Sequence, residues 1–186
     1  YPGLIAAYSV LGIVEVGAVR ATVDMAEVGS NAANVRAEVA VNPDSDLYRA
    51  HPDWALTTDG YTPVLARNQL VLNLAHPGAY ATIRDALVEL LAHHDIQFVK
   101  WDMNRHHVQG SGSGGSAGTH AQTSAVYRLL DELRARFPGV EIESCSSGGG
   151  RVDFGILENT DRVWTSDCND ALERHAIQRG ASMFLV

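Results

Sequence analysis

The chain has 186 residues, of which 46% are hydrophobic and 19% are charged, and its 14 basic and 22 acidic residues give a net charge of −8. This length and composition predict one folded domain and exclude a chain that is disordered overall. The acidic balance argues against general nucleic-acid binding, and no apolar run reaches the roughly 18 residues of a membrane-spanning helix.

The predicted elements alternate between helices and strands from residue 79 onward. Before them, residues 35–41 are compatible with a strand and residues 42–63 have the prolines and glycine of a loop. The pattern then predicts, in order, a helix, a strand, a helix, a strand, a short helix, a strand and a helix over residues 79–94, 96–102, 122–136, 140–145, 153–159, 162–167 and 170–180.

Such alternation is typical of parallel β/α units, so we predict an α/β fold. A complete (β/α)8 TIM barrel needs about 250 residues, and this chain accounts for about half of its eight units. The apolar run at residues 182–186 resembles the start of a further strand. We therefore expect residues 1–186 to be part of a larger catalytic barrel.

Polar side chains lie near the ends of the last three predicted strands, where the active sites of β/α barrels are found. Side chains alternate between the two faces of a strand, so Lys100 and Asp102 share a face. Cys145 and Asp167 end the next two predicted strands. Adjacent parallel strands would bring these four side chains to one rim of the sheet.

Two carboxyl groups on one rim can take different roles in hydrolysis, one as nucleophile and one as proton donor. A cation beside Asp102 favours its ionised form, which suits a nucleophile. A second carboxyl that keeps its proton can donate it to a leaving group, and glycoside hydrolysis uses such a pair. One Asp after a strand more often caps the next helix. The catalytic hypothesis therefore depends on there being two carboxylates, and on Lys100 being the only lysine in the chain.

Three other motifs carry weaker signals. Gly148–Gly150 is a candidate backbone site for an anion or a neutral hydroxyl, but no Lys-Ser or Lys-Thr follows it as in a phosphate loop. His93-His94 and His106-His107 lack the further ligands of a metal site, so we expect no metal and no cofactor. Cys145 and Cys168 are too few for a disulfide framework; as unpaired thiols they favour a cytoplasmic location.

Five ordered segments resemble the family 36 glycoside hydrolases, the bacterial-type α-galactosidases. FVKWDMNR at residues 98–105 resembles the nucleophile strand of that family, ESCSSGGGR at residues 143–151 its next signature, and VWTSDCNDALER at residues 163–174 its acid/base strand. Residues 42–49 and 67–72 match two earlier segments in the same order. The resemblance covers residues 42–186, with residues 1–41 poorly recognisable, and implies a (β/α)8 catalytic barrel.

The same resemblance implies a retaining hydrolase that releases terminal α-linked galactose from galactosides such as melibiose and raffinose. It implies that Asp102 is the nucleophile, which forms a galactosyl-enzyme. Asp167 is then the acid/base, which protonates the leaving oxygen and later activates water. A retaining mechanism expects the two carboxyls to lie about 5–5.5 Å apart.

Sugar contacts are also implied by the resemblance. Lys100 and Arg67 are expected to hold sugar hydroxyls, and Cys145 and the backbone of Gly148 to lie near the 2-hydroxyl. Since an N-acetyl group needs more room there, this pair favours an α-galactosidase over an α-N-acetylgalactosaminidase of the same clan.

Two features keep a non-catalytic alternative open. The family's paired Asp residues for the galactose 4- and 6-hydroxyls are absent from this chain, and residues 12–41 do not read as family sequence. The alternative is an inactive fragment or a galactoside-binding remnant. The expected partners are α-galactoside oligosaccharides, with no nucleic acid and no membrane, and with homo-oligomers in a full-length parent.

Overall fold

The structure is a computed structural model that describes residues 40–41, 46–66, 69–104, 106–111 and 117–185. Its helices are α1 (Asp46–Ala50), α2 (Pro77–His93), α3 (Gly118–Arg136), α4 (Phe154–Asn159) and α5 (Ala171–Ala181), and a short 3-10 helix spans Pro52–Trp54. Its strands are β1 (Ala40–Val41), β2 (Leu70–Val71), β3 (Phe98–Asp102), β4 (Glu141–Cys145) and β5 (Arg162–Val163). The predicted alternation from α2 to α5 is confirmed.

A parallel sheet organises the second half of the chain. Strands β3, β4 and β5 lie side by side in chain order, and each neighbouring pair is parallel. In this register Lys100 lies opposite Glu143, and Asp102 lies opposite Cys145. Strands β1 and β2 form a separate antiparallel pair. The α/β class predicted from the sequence is therefore correct.

The core lies between this sheet and the helices that follow its strands. Val99 and Trp101 of β3 are buried in it, as the alternation along the strand predicts. Helix α3 contributes Leu129, Leu130 and Leu133 at helical spacing. Burial of each such leucine is worth about 1.5–3 kcal/mol, so the packing of α3 fixes the strands whose ends carry the polar residues.

In the first half of the chain one prediction is wrong, and another lies largely outside the described residues. Residues 42–63 were expected to form a loop, but they contain α1 and the 3-10 helix. Pro52 opens that 3-10 helix, because a proline fits the first turn, where no N–H partner is needed. Of the strand predicted over residues 35–41, only Ala40–Val41 are described, and these form β1.

Helix α3 starts four residues earlier than the predicted position 122. Its N-cap is Ala117, whose side chain makes no capping hydrogen bond, so the sequence has no polar start signal there. The polar Gln122 is nevertheless buried at 1% exposure, because its amide accepts from Leu74 N at 2.6 Å and donates to Leu72 O at 3.0 Å.

None of the helices in the described ranges has the length and apolarity needed to span a membrane.

The third predicted strand, over residues 162–167, is also too long. Only Arg162–Val163 form β5, and the backbone N–H of Trp164 adds one bond to Ser144 O at 2.8 Å. Beyond that point β5 has no backbone partner on β4. The N–H of Ser146 donates to Gly148 O and its carbonyl accepts from Gly150 N, so both groups are used within the turn at residues 146–150. Asp167 therefore lies on an exposed loop after β5 and not on a strand.

Candidate active site

Lys100 and Glu143 form an ion pair across β3 and β4. Lys100 Nζ lies 3.3 Å from Glu143 Oε1, and the two side chains are 28% and 9% exposed. Because Glu143 is almost buried, removal of either partner leaves a poorly solvated charge. The pair holds the ammonium group on the face of the sheet that also carries Asp102.

Asp102 lies at the carboxyl end of β3 and is 1% exposed. Asn104 Nδ2 donates to its Oδ2 at 3.3 Å, and Asn104 Oδ1 accepts from the backbone N–H of Ser147 at 2.6 Å. The side chain of Cys145 also hydrogen-bonds with Asp102, its register partner. Asn104 thus ties the carboxylate to the loop that follows β4.

Cys145 is a buried, neutral thiol. Burial raises its pKa to about 11; a hydrogen bond with the backbone of Gly148 opposes that rise, and the neighbouring Asp102 adds to it. A thiol with this pKa is protonated near pH 7, so it is a weak nucleophile. It can still take part in hydrogen bonds beside Asp102.

Arg151 ties the ends of β3 and β4 together. Its Nη2 donates to Trp101 O at 2.8 Å and to Cys145 O at 2.9 Å, and its Nε donates to Ser144 Oγ at 3.2 Å. Burial lowers the pKa of this guanidinium, although the nearby Asp102 opposes that shift. No sequence pattern predicts this role for Arg151; the only signal is its place directly after the glycine run.

The glycine run packs against the segment that carries Asp167. Gly148 has φ +82°, and a Cβ built on it would lie 2.6 Å from Ser166 Cα and 3.1 Å from Asp167 N. A Cβ on Gly149 would lie 3.0 Å from Thr165 O. These glycines therefore serve a close contact between two main-chain segments.

Trp164 connects the two halves of the site. Its Nε1 donates to Asp167 Oδ1 at 2.8 Å. Lys100 Nζ lies 4.0 Å from the centre of the indole, and the guanidinium carbon of Arg174 lies 4.6 Å from it. Each cation–π contact is worth about 0.5–2 kcal/mol. In the sequence Trp164 is notable only as part of the motif at residues 163–174, and no periodicity indicates its role.

The structure brings most of the expected residues together. Lys100, Asp102 and Cys145 lie around the ends of β3 and β4, and Gly148 and Asp167 are joined by the backbone contact. Arg67 lies outside the described residues. Across the described ranges, no group of three or more His, Cys, Asp or Glu is arranged to hold a metal ion.

Comparison with known proteins identifies the family. The family model described as melibiase matches residues 35–186. The chain belongs to the melibiase family. This confirms the resemblance to the family 36 glycoside hydrolases, which the motifs at residues 98–105, 143–151 and 163–174 predicted.

Individual relatives within this family agree. An α-galactosidase of Escherichia coli is 56% identical over 144 residues, which cover 77% of this chain and 20% of the relative. Two family 36 α-galactosidases of Geobacillus stearothermophilus, AgaB and a variant of AgaA in complex with raffinose, each have a TM-score of 0.73. They are 41% and 39% identical, and each match covers 78% of this chain and 21% of the other. The chain thus spans about a fifth of the length of the relatives it matches.

Proposed function

We propose that this chain carries the two catalytic carboxyls of a retaining α-galactosidase, with Asp102 as nucleophile and Asp167 as acid/base. The main support for this proposal is that Trp164 contacts both Asp167 and Lys100. Its N–H holds Asp167, while its ring lies against Lys100, two residues before Asp102 on the same strand. Family 36 relatives bound to raffinose and to stachyose support a galactoside substrate.

In the first step an oxygen of Asp102 forms a bond to the anomeric carbon of a terminal α-galactoside. The C–O bond to the leaving group breaks, its electron pair stays on the leaving oxygen, and Asp167 gives that oxygen a proton. In the second step Asp167 takes a proton from water, whose oxygen bonds to the anomeric carbon as the bond to Asp102 breaks. Two displacements give retention, for which we expect a carboxyl separation of about 5–5.5 Å.

Sugar recognition is proposed to involve Lys100 and Arg67 at the hydroxyls and Cys145 with the backbone of Gly148 at the 2-position. The neutral Cys145 thiol is suited to a neutral hydroxyl. Melibiose and raffinose are the proposed substrates.

The finer architecture is part of the proposal. Parallel strands in chain order, joined by α3 and α4, support about half of a (β/α)8 barrel within residues 1–186. The free thiols support a cytoplasmic protein, and the parent is proposed to form homo-oligomers.

The proposal is tested by measuring hydrolysis of melibiose and of p-nitrophenyl α-galactoside by the wild type and by Asp102→Asn. We expect the variant to lose at least about 1000-fold in kcat, because it lacks the nucleophile. Asp85→Asn is the matched control: Asp85 pairs with Arg84 on the exposed surface of α2, so activity should not change. Melibiose binding without turnover by the wild type would instead support a non-catalytic galactoside-binding protein.

A further inference from the structure

We propose that Trp164 is a positioning residue that orients the Asp167 carboxyl for proton transfer to the leaving group. The inference rests on the proposed function, because it concerns the acid/base role of Asp167. Asp167 is exposed and lies on the loop after β5. The 2.8 Å hydrogen bond from Trp164 Nε1 to Oδ1 fixes one of its two oxygens.

The direction of this hydrogen bond follows from the chemistry of indole. An indole N–H donates and never accepts, so Oδ1 of Asp167 is the acceptor. The bond therefore sets the orientation of the carboxyl group of Asp167. In the first step the proton of Asp167 moves to the glycosidic oxygen as the anomeric C–O bond breaks, and in the second step the carboxylate takes a proton from the attacking water. Fixed geometry of this kind lowers the barrier, because the acid need not search for its orientation.

Trp164 is itself held from several directions. Its backbone N–H bonds to Ser144 O at 2.8 Å, which anchors it beside β4. Its ring lies 4.0 Å from Lys100 Nζ and 4.6 Å from the Arg174 guanidinium carbon. Arg174 is anchored in turn by donating to Ser166 O at 2.8 Å. A ring with these contacts provides a donor of fixed position for Asp167.

The test compares two substrates that differ in their need for a proton. In the protein at its natural full length, Trp164→Phe keeps an aromatic ring and removes the N–H. We expect kcat/KM for melibiose to fall about 10- to 100-fold, which is part of the contribution of a general acid. For 2,4-dinitrophenyl α-galactoside, whose leaving group departs without protonation, we expect a fall of less than about threefold, since that bond needs no general acid. A merely structural role would lower both values together.

Two further variants keep the test decisive. Trp54→Phe makes the same chemical change at an indole that stacks on His51, with ring centroids 3.9 Å apart. We expect this variant to leave kcat/KM unchanged for both substrates. Trp164→His retains a ring N–H, and we expect it to keep more melibiose activity than Trp164→Phe. If Trp164→Phe does not fold, Trp164→His provides the test with the same two substrates.

Equal losses on the two substrates, or an unchanged value for melibiose in a folded variant, would overturn the role of Trp164 and leave the proposed function standing. A wild type that hydrolyses neither substrate would refute the proposed function, and the role of Trp164 with it.

Discussion

Gly148 lies directly against the backbone of Asp167. At φ +82°, it occupies a conformation that side chains disfavour, and any Cβ there would stand 3.1 Å from Asp167 N and 2.6 Å from the preceding Cα. The loop after β4 and the loop after β5 are therefore as close as two main chains allow. The position of the proposed acid/base depends on a residue 19 positions earlier in the chain.

Gly148→Ala is expected to disturb both folding and activity. The added methyl must push Ser166 and Asp167 away, and the positive φ adds strain, so we expect a loss of about 1–3 kcal/mol in the free energy of unfolding. Displacement of Asp167 by even 1 Å should lower kcat on melibiose at least about tenfold. Urea unfolding and steady-state kinetics measure the two effects. Gly139→Ala, where no atom lies within 4 Å of the added Cβ, should change neither.

Glu143→Gln is expected to act through Lys100. The amide keeps the shape of the side chain but leaves the ammonium without its anion, at a cost of about 1–3 kcal/mol after allowance for the partial exposure of Lys100. If Lys100 binds sugar hydroxyls, KM for melibiose should rise more than kcat falls. The matched control is Glu141→Gln on the same strand, because Glu141 forms an exposed surface pair with Arg162. Equal effects of the two substitutions would contradict the prediction.

Arg151→Met is expected to loosen the ends of β3 and β4. The variant loses hydrogen bonds to two backbone carbonyls and to Ser144, and we expect the free energy of unfolding to drop by about 2–4 kcal/mol. Arg151→Lys should recover less than half, since an ammonium lacks the planar fork. Denaturant unfolding measures both, with the exposed Arg84→Met as control. Full rescue by lysine would show that charge alone matters.

The two cysteines are expected to differ in reactivity with iodoacetamide. At pH 8 the exposed Cys168 should be alkylated, whereas Cys145, buried and with its pKa raised to about 11, should react only after unfolding in urea. Peptide mass mapping distinguishes the two. Rapid labelling of Cys145 in the folded protein would contradict its burial.

The raised pKa of Cys145 also makes the stability of the protein depend on pH. The pKa of Cys145 is higher in the folded state than its ordinary value of 9.0, so its contribution is complete below about pH 9. That contribution is lost as the pH rises through about 11. Between these values the urea midpoint of the wild type should therefore fall further than that of Cys145→Ala, which has no thiol to ionise.

How much of the site was predictable from sequence depends on local regularity. Lys100, Asp102 and Cys145 were placed correctly, because they lie within regular strands where side chains alternate. Asp167 was expected at the end of a strand and lies on a loop. The cause is the turn at residues 146–150, which uses its own backbone groups and leaves none for residues 165–167. No pattern within residues 162–167 reveals that competition.

Arg151 and Trp164 show a second limit. Their roles come from contacts with Trp101, Cys145, Lys100 and Asp167, which lie on other elements. Hydrophobic periodicity reports only which face of an element is buried. The sequence therefore indicated which segments meet at the rim, while the residues that hold those segments together became visible only from the packing.

Lys100 also has a practical consequence for chemical labelling. It is the only lysine among the 186 residues, and its side chain is 28% exposed. Activated esters and aldehydes couple to amines, so within this stretch such reagents have a single side-chain target, beside Glu143 and Trp164. A dye or solid support attached there would occupy the proposed sugar-binding position. Under the proposed function, amine coupling at Lys100 is expected to block sugar binding, and a bound galactoside should slow the coupling.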